Sequence, residues 1–403
     1  MPEAVIVSTA RSPIGRANKG SLVDARPDDL AATIIAAAMA KVPSLDPSEV
    51  EDVITGCAQP AGEQGYNLAR VVALLSGLGT APGTTVNRYC ASSLQTIRMA
   101  AHAIKAGEGD VFVAAGVECV SRFDKGRADG GPGTTNSRFS DARSRSKSRE
   151  QAGVDVWTPL DALPDIYISM GQTAENVATL EGVTREEMDE FAALSQNRAV
   201  RSQENGFFER EITPITLEDG TVVSKDDGPR PDTTAEKLAQ LKPVFRPDGS
   251  VTAGNACPLN DGAAAVVVMS DVRAETLGIK PLARIVSTGV SALDPEIMGL
   301  GPIEACRQAL RRAGLTIDDI DLVEINEAFA AQVIPSAKHL GIPWEKLNVN
   351  GGGLALGHPF GMTGARIMTT LLNGLEDTGG RYGLESMCVG GGQGMAMIVE
   401  RLT

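Results

Sequence analysis

Aromatic residues are scarce in this chain, at 4% of 403 residues, and no stretch of about 18 consecutive apolar residues occurs. The sequence therefore predicts no membrane-spanning helix. Cysteine is also sparse, with six residues, no CxxC pair and no regular spacing, which excludes a disulfide framework and points to reduced thiols in an intracellular setting. Histidine occurs three times only, too few for a histidine-rich metal site, and no metal is expected. Basic residues are outnumbered, 37 against 51 acidic, for a formal charge of -14. Long-range attraction to nucleic acid or to an anionic membrane is thereby disfavoured, and an anionic ligand has to find a local basic pocket. The start, Met1-Pro2-Glu3-Ala4, has an acid where a signal peptide needs basic residues, and the end, Glu400-Arg401-Leu402-Thr403, matches no peroxisomal or ER-retention address. A cytoplasmic location is the expectation.

What is present in quantity is ordinary globular composition, 42% apolar and 22% charged, in a chain too long for one small core. It states one pattern twice. Ile6-Val7-Ser8-Thr9 recurs as Ile285-Val286-Ser287-Thr288, a helix from about Asp29 to Ala40 is mirrored by one from about Ile303 to Arg312, and the strand at 49–54 is echoed at 319–324. Thr84-Thr85-Val86-Asn87 corresponds to Leu347-Asn348-Val349-Asn350, each entering a turn and then a helix. Alternating buried strands and helices predict two α/β halves with mostly parallel sheets. In the second half the strands at 387–389 and 395–399 are joined by a glycine turn, whereas their counterparts at 111–115 and 264–269 lie far apart. An insertion separates them. It holds a Ser/Arg-rich stretch, 137–149, but also Trp157, Tyr167 and six of the nine phenylalanines, enough apolar mass to fold. The organisation expected is an N-terminal half at 1–120 completed by 253–280, an inserted loop domain at 121–252, and a C-terminal half at 281–403.

Three constellations carry chemistry. Cys90 lies between a strand end and a helix whose Leu94, Ile97 and Ile104 recur at helical spacing; a helix N-terminus there would lower the thiol pKa and favour a nucleophile, although an isolated cysteine also packs as a small buried thiol. His358 sits in the matching turn of the second half, within Gly351-Gly352-Gly353-Leu354-Ala355-Leu356-Gly357-His358-Pro359-Phe360-Gly361. A pseudo-twofold relation would face the two turns together, so that His358 could take the Cys90 proton and return it. The rival reading, a dinucleotide-binding glycine loop, lacks a clear acidic partner downstream. His102 and His339 fall in helices and read as packing or helix-end residues. Cys388, followed by Val389-Gly390-Gly391-Gly392, offers a second thiol beside open backbone N–H groups suited to an oxyanion. Asn326 and Glu327 end a strand, where α/β proteins collect ligands; a helix cap and a solvated helix start are the plainer readings.

These residues resemble the thiolase family over essentially the whole chain, through Asn87 to Gln95, Thr252-Ala253-Gly254-Asn255, Asn260-Asp261-Gly262, Asn326-Glu327-Ala328-Phe329, Gly357-His358-Pro359 and Cys388-Val389-Gly390. The resemblance implies a duplicated, five-layered α-β-α-β-α core with an inserted loop domain, assembled as a homodimer or homotetramer. It implies an acyltransferase using coenzyme A as co-substrate with no tightly bound cofactor. Cys90 would be acylated, His358 would activate it, Cys388 would shuttle a proton at the α-carbon, Asn326 would hold a water at the enolate oxygen, and N–H groups of Cys90 and Gly390 would form the second oxyanion site. Arg230 would meet the adenine nucleotide, and Met170 and Phe360 suggest an apolar acyl pocket. Cys257-Pro258 stands where many members have Ser-Gly, which puts a hydroxyl contact to CoA in doubt. The basic run at 137–149 reads as a solvated loop. The activity expected is thiolytic cleavage of 3-ketoacyl-CoA in fatty-acid β-oxidation. A short-chain acetoacetyl-CoA synthase working in the condensing direction and a non-catalytic acyl-CoA binder are the alternatives.

Overall fold

The computed structural model describes residues 2–153 and 155–403; Met1 and Val154 lie outside the described residues. Nine strands form the continuous path of a ten-stranded main sheet: β1 (Ala4–Arg11), β2 (Asp52–Gly56), β3 (Gly83–Val86), β4 (Val111–Cys119), β5 (Asn260–Ser270), β6 (Ala283–Ala292), β7 (Leu322–Ile325), β8 (Tyr382–Val389) and β9 (Gln393–Arg401); the tenth, Gly15–Arg16, pairs with the start of β5 alone. In the first half the spatial order is β1-β5-β4-β2-β3; in the second it is β6-β9-β8-β7. The two sequences of pairings coincide. Each half begins with two antiparallel neighbours and continues with a parallel one, β4–β2 in one and β8–β7 in the other. The halves meet at β1 and β6 through only Val5 and Ile6.

Two expectations are corrected. The sheets are mixed rather than mostly parallel, because the three-residue turn joining β8 to β9 can only fold the chain back on itself. The echo of β3 in the second half is not a strand; Leu347 makes a single parallel bridge to Val323 at the equivalent sheet edge.

The helices fill three layers around the two sheets. Between the sheets lie α3 (Ser92–Ala106) and α10 (Thr363–Thr378), the latter preceded by the four-residue α9 (Gly353–Leu356); outside the first sheet lie α1 (Pro27–Ala40) and α2 (Leu68–Leu75), and outside the second α7 (Gly301–Ala313) and α8 (Ala330–Leu340). Helix α3 is central because Leu94, Ile97, Ala101 and Ile104 recur every three or four residues, all essentially without exposure. Burying each large aliphatic there contributes about 2 kcal/mol. The excursion between β4 and β5 carries α4 (Ser140–Ala152), α5 (Met170–Glu181) and α6 (Arg185–Glu204), and Ala174, Ala178, Met188 and Phe191 pack into the same core as α8. Arg11 of β1 ties the excursion down through buried ion pairs to Glu211 (2.7 Å) and Asp226 (2.8 Å). The 137–149 run is helical rather than a loop, since Ser140 to Ala152 form α4; Arg149 pairs with Glu296 at 3.3 Å. No helix among the described residues is long and apolar enough to cross a membrane.

Candidate active site

Cys90 sits in a single 3₁₀ turn, Tyr89–Ala91, between β3 and α3. Side chains build that turn. Asn87 Oδ1 accepts the Tyr89 N–H (2.8 Å), and Ser92 Oγ accepts the Arg88 N–H (2.9 Å) while donating to the Tyr89 carbonyl (2.7 Å). Tyr89 is held at φ +42, a conformation that side chains adopt mainly where surroundings enforce it. The Cys90 sulfur receives N–H groups from Gly390 and from its own residue, yet burial dominates and pushes the thiol up to about 11. The lowered pKa expected from the helix terminus is therefore reversed: Cys90 is only 8% exposed, and losing water outweighs two N–H donors.

The second thiol stands beside the first. Cys388, fully buried, is raised well above the ordinary thiol range by burial and then by the proximity of Cys90 and Cys257. Cys257 is likewise raised by burial and then by Cys90. The three sulfurs and the Gly390 N–H thus share one place, reached from the end of β8, the β3–α3 turn and the segment before β5. Met170, first residue of α5, brings its Sδ to 3.7 Å of where a Gly390 side chain would begin, and the Tyr89 ring comes to 3.6 Å on another side.

His358 is 1% exposed and fixed at three points. Its N–H donates to Asn260 Oδ1 (3.0 Å), Phe360 meets the ring edge-on at a 5.2 Å centroid distance, and Nδ1 lies 2.6 Å from Thr363 Oγ1. That hydroxyl already donates to the Pro359 carbonyl (2.8 Å), so its one proton is engaged and it accepts from Nδ1–H. The tautomer follows: Nε2 carries the lone pair. Burial, and then Arg366, push the imidazole down to about 3, so the ring is neutral at physiological pH. Nε2, with Asn326 Oδ1 and Nδ2, is buried without a hydrogen-bond partner among the described residues, a condition proteins tolerate where a ligand or water completes the bonding.

The turn that holds His358 is docked on the turn that holds Cys90. Gly357 takes φ +110, closed to most side chains. Beyond it the Ala365 N–H donates to Ser93 Oγ (2.9 Å), and the Gly361 N–H to Glu118 Oε2 (3.0 Å). Glu118, at the end of β4, also accepts from the N–H groups of Ala58 and Gln59 and from Gln64. Burial still raises it to about 7. Glu118 faces Cys90 electrostatically and so spans both turns.

Sequence reasoning gave no role to Asn260, Thr363 or Glu118. A lone acid closing the apolar run of β4 was a legible signal for Glu118; nothing marks Thr363 in one dimension. Glu327, read as a solvated helix start, is buried and accepts from Ser195 (2.6 Å), Asn348 (2.8 Å) and the Leu354 N–H (3.1 Å); α8 begins only at Ala330. Arg230 lies farther out. With Arg16, Phe245, Cys257 and Leu354 it lines a cleft of about 260 Å³, and desolvation and Arg16 depress its pKa. The cations of α4 do not line that cleft.

Known proteins resemble this chain along its whole length. The family model described as "Thiolase, N-terminal domain" matches residues 4–272, and "Thiolase, C-terminal domain" matches residues 279–401. A beta-ketoadipyl-CoA thiolase from Acinetobacter baylyi is 44% identical over 100% of both chains. A 3-ketoacyl-CoA thiolase from Marinobacter nauticus is 43% identical over 99% of this chain and 98% of its own. The solved acetyl-CoA acetyltransferase of Bacillus anthracis superposes with a TM-score of 0.85 at 41% identity, covering 100% of this chain and 99% of that one. With a duplicated five-layered core matched from end to end, the chain belongs to the thiolase family of acyl-CoA acyltransferases.

Proposed function

We propose that the protein is a degradative 3-ketoacyl-CoA thiolase working through an acyl-enzyme on Cys90. The observation that carries this reading is a buried site with two neutral thiols, Cys90 and Cys388, and a neutral imidazole whose Nε2 has no partner among the described residues. Neutral Nε2 takes the Cys90 proton as the sulfur bonds to the ketone carbon of the substrate, and N–H groups of Gly390 and Cys90 steady the resulting oxyanion. Collapse breaks the bond between the α- and β-carbons. Cys388 gives its proton to the α-carbon, with Asn326 and a water holding the enolate oxygen, and acetyl-CoA leaves. Incoming CoA then loses its thiol proton to the Cys388 thiolate and takes the acyl group, while the imidazolium returns its proton to Cys90. Each group ends as it began.

Coenzyme A enters as co-substrate, with Arg230 and Cys257 along its cleft, and no tightly bound cofactor is invoked. Six free cysteines support a reducing, cytoplasmic setting. Assembly as a homodimer or homotetramer is supported by β3, which pairs on one side only, and by exposed Tyr66, Leu74 and Leu75 beside it. Incubating the protein with a 3-ketoacyl-CoA and CoA should consume the keto thioester and yield acetyl-CoA. Omitting CoA should leave an acyl mass adduct on the Cys90 peptide, absent from Cys90→Ser. Unchanged substrate at every chain length rejects the reading.

A further inference from the structure

The inserted excursion reaches the chemistry through α6. Met188, Phe191, Ala192 and Ala199 form the buried stripe of that helix, and Ser195 and Ser202 interrupt the stripe with hydroxyls that are equally buried. Both bonding capacities of the Ser195 hydroxyl are used. Its Oγ donates to Glu327 Oε2 (2.6 Å) and accepts the Gly352 N–H (3.2 Å), so one side chain of the excursion joins the segment after β7 to the segment before His358.

Glu327 directly follows Asn326, the amide assigned above to the enolate oxygen. The Asn326 backbone is tied at both ends, its N–H to the Ser386 carbonyl (2.9 Å) and its carbonyl to Gln332 Nε2 (2.8 Å). Its side chain is not. Nδ2 and Oδ1 make no hydrogen bond among the described residues, so the direction of the amide is set by what it rests against. That support is the turn at 352–354. Asn326 Oδ1 lies 3.1 Å from the point where a Gly353 side chain would begin, and a side chain on Gly352 would collide with the Glu327 carboxyl carbon. Three donors hold the Glu327 carboxylate under the turn: Ser195 Oγ, Asn348 Nδ2 (2.8 Å) and the Leu354 N–H (3.1 Å). Asn348 and Leu354 belong to one segment with the turn, so Ser195 is the donor that fixes turn and carboxylate to a separate element. His358 has supports of its own in Asn260, Phe360 and Thr363.

We infer that Ser195, supplied by the inserted domain, is a positioning residue for the Asn326 amide. It acts through Glu327 and the 352–354 turn and touches no reacting atom. The inference rests on the thiolase reading above and deepens it by separating two steps. Bonding of an acyl group to Cys90 draws on the N–H groups of Gly390 and Cys90, whereas forming the enolate of acetyl-CoA draws on Asn326. Ser195 serves the second step.

Acetyl-CoA in D2O reports both steps at once. As the Cys90 sulfur bonds to the acetyl carbonyl carbon, CoA leaves with the proton of Cys388; the Cys388 thiolate then takes a proton from the methyl group of a second acetyl-CoA and returns a deuteron. Intact mass follows acetyl-Cys90, and NMR follows deuterium in the methyl group. Ser195→Ala should acetylate Cys90 at close to the wild-type rate and exchange methyl hydrogens about tenfold or more slowly per acetylated enzyme. Asn326→Ala should show the same split. Ser202→Ala removes a hydroxyl from the same helix face, one that donates to Asn350 Oδ1 (2.9 Å), and should keep both rates. Wild-type exchange in Ser195→Ala, loss of acetylation together with exchange, or an equal exchange defect in Ser202→Ala overturns the inference while the thiolase reading stands. Undiminished exchange in Asn326→Ala removes the assigned role of Asn326 and the inference with it. A wild-type Cys90 that takes no acetyl group overturns the thiolase reading itself.

Discussion

At the residue scale the site depends on keeping its proton carriers neutral before substrate arrives. An imidazole displaced down to about 3 is a weak base in isolation, and a thiol raised to about 11 is a weak acid. Transfer between them becomes favourable only as the sulfur bonds to carbon and the developing oxyanion meets its N–H donors. What makes the transfer directional is the tautomer, and that is fixed by Thr363. Thr363→Val removes the acceptor for Nδ1–H and should lower kcat by about tenfold or more, with a stability loss of about 1 kcal/mol. Thr363→Ser keeps the hydroxyl and should restore most of the rate. Steady-state kinetics beside chemical denaturation checks this, since a purely structural threonine would shift the unfolding midpoint and leave kcat of the folded fraction intact. His358 was legible in the sequence because it alone among three histidines lies in a glycine-rich turn. Thr363 was not, because its role depends on where its own hydroxyl proton is committed.

At the level of elements, the catalytic geometry is a property of two helices rather than of one loop. The starts of α3 and α10 interlock between the sheets, and the contact is close because Gly364 of α10 lies on the backbone of Leu94 in α3; a Cβ there would collide with the Leu94 nitrogen. Gly364→Ala should therefore separate the helices, lower stability by roughly 1–3 kcal/mol, and depress kcat by more than the folded fraction accounts for, as measured by denaturant titration with parallel assays. Normal kinetics in this variant would mean that the two turns tolerate relative displacement. The duplication behind this arrangement was readable from repeated β-branched runs and helix lengths. Strand direction was not, because pairing sense depends on which distant strand arrives alongside: β1 and β5 join across the whole excursion, antiparallel from Ala4 opposite Ser270 to Arg11 opposite Ala264.

On the scale of the whole molecule, the burial of acids is the feature least visible in one dimension. Glu324 and Glu385 are register partners on β7 and β8, and alternation turns both toward the layer between the sheets, where Arg366 of α10 is 1% exposed. A composition of -14 suggests acids at the surface, and an acid inside a strand pattern reads as an outward position. Here helices cover both faces of the sheet at these strands, and all of β7 and all of β8 after Tyr382 are buried, so neither acid has an outward position. Both Glu385 oxygens, and Nη1 and Nη2 of Arg366, are buried without hydrogen-bond partners among the described residues.

The consequence is a stability that falls on both sides of mildly acidic pH. Burial raises Glu324 from 4.5 to about 8 and lifts Glu385 well above its ordinary value. Between those limits the folded chain keeps protons that the unfolded chain has released, so stability declines as pH rises through the window. His358 acts oppositely: displaced from 6.5 to about 3, it stays neutral when folded while the unfolded chain takes up a proton, so stability declines as pH falls through that range. Glu385→Gln removes one of the protons that must be held, without changing side-chain shape. It should flatten the alkaline limb, gaining on the order of 1 kcal/mol or more relative to wild type at pH 9 compared with pH 5, and leave the acid limb as it is. Unfolding curves recorded across that range decide the matter: parallel alkaline limbs in the two proteins would mean that Glu385 is already ionised in the folded state and that Arg366 compensates it at every pH.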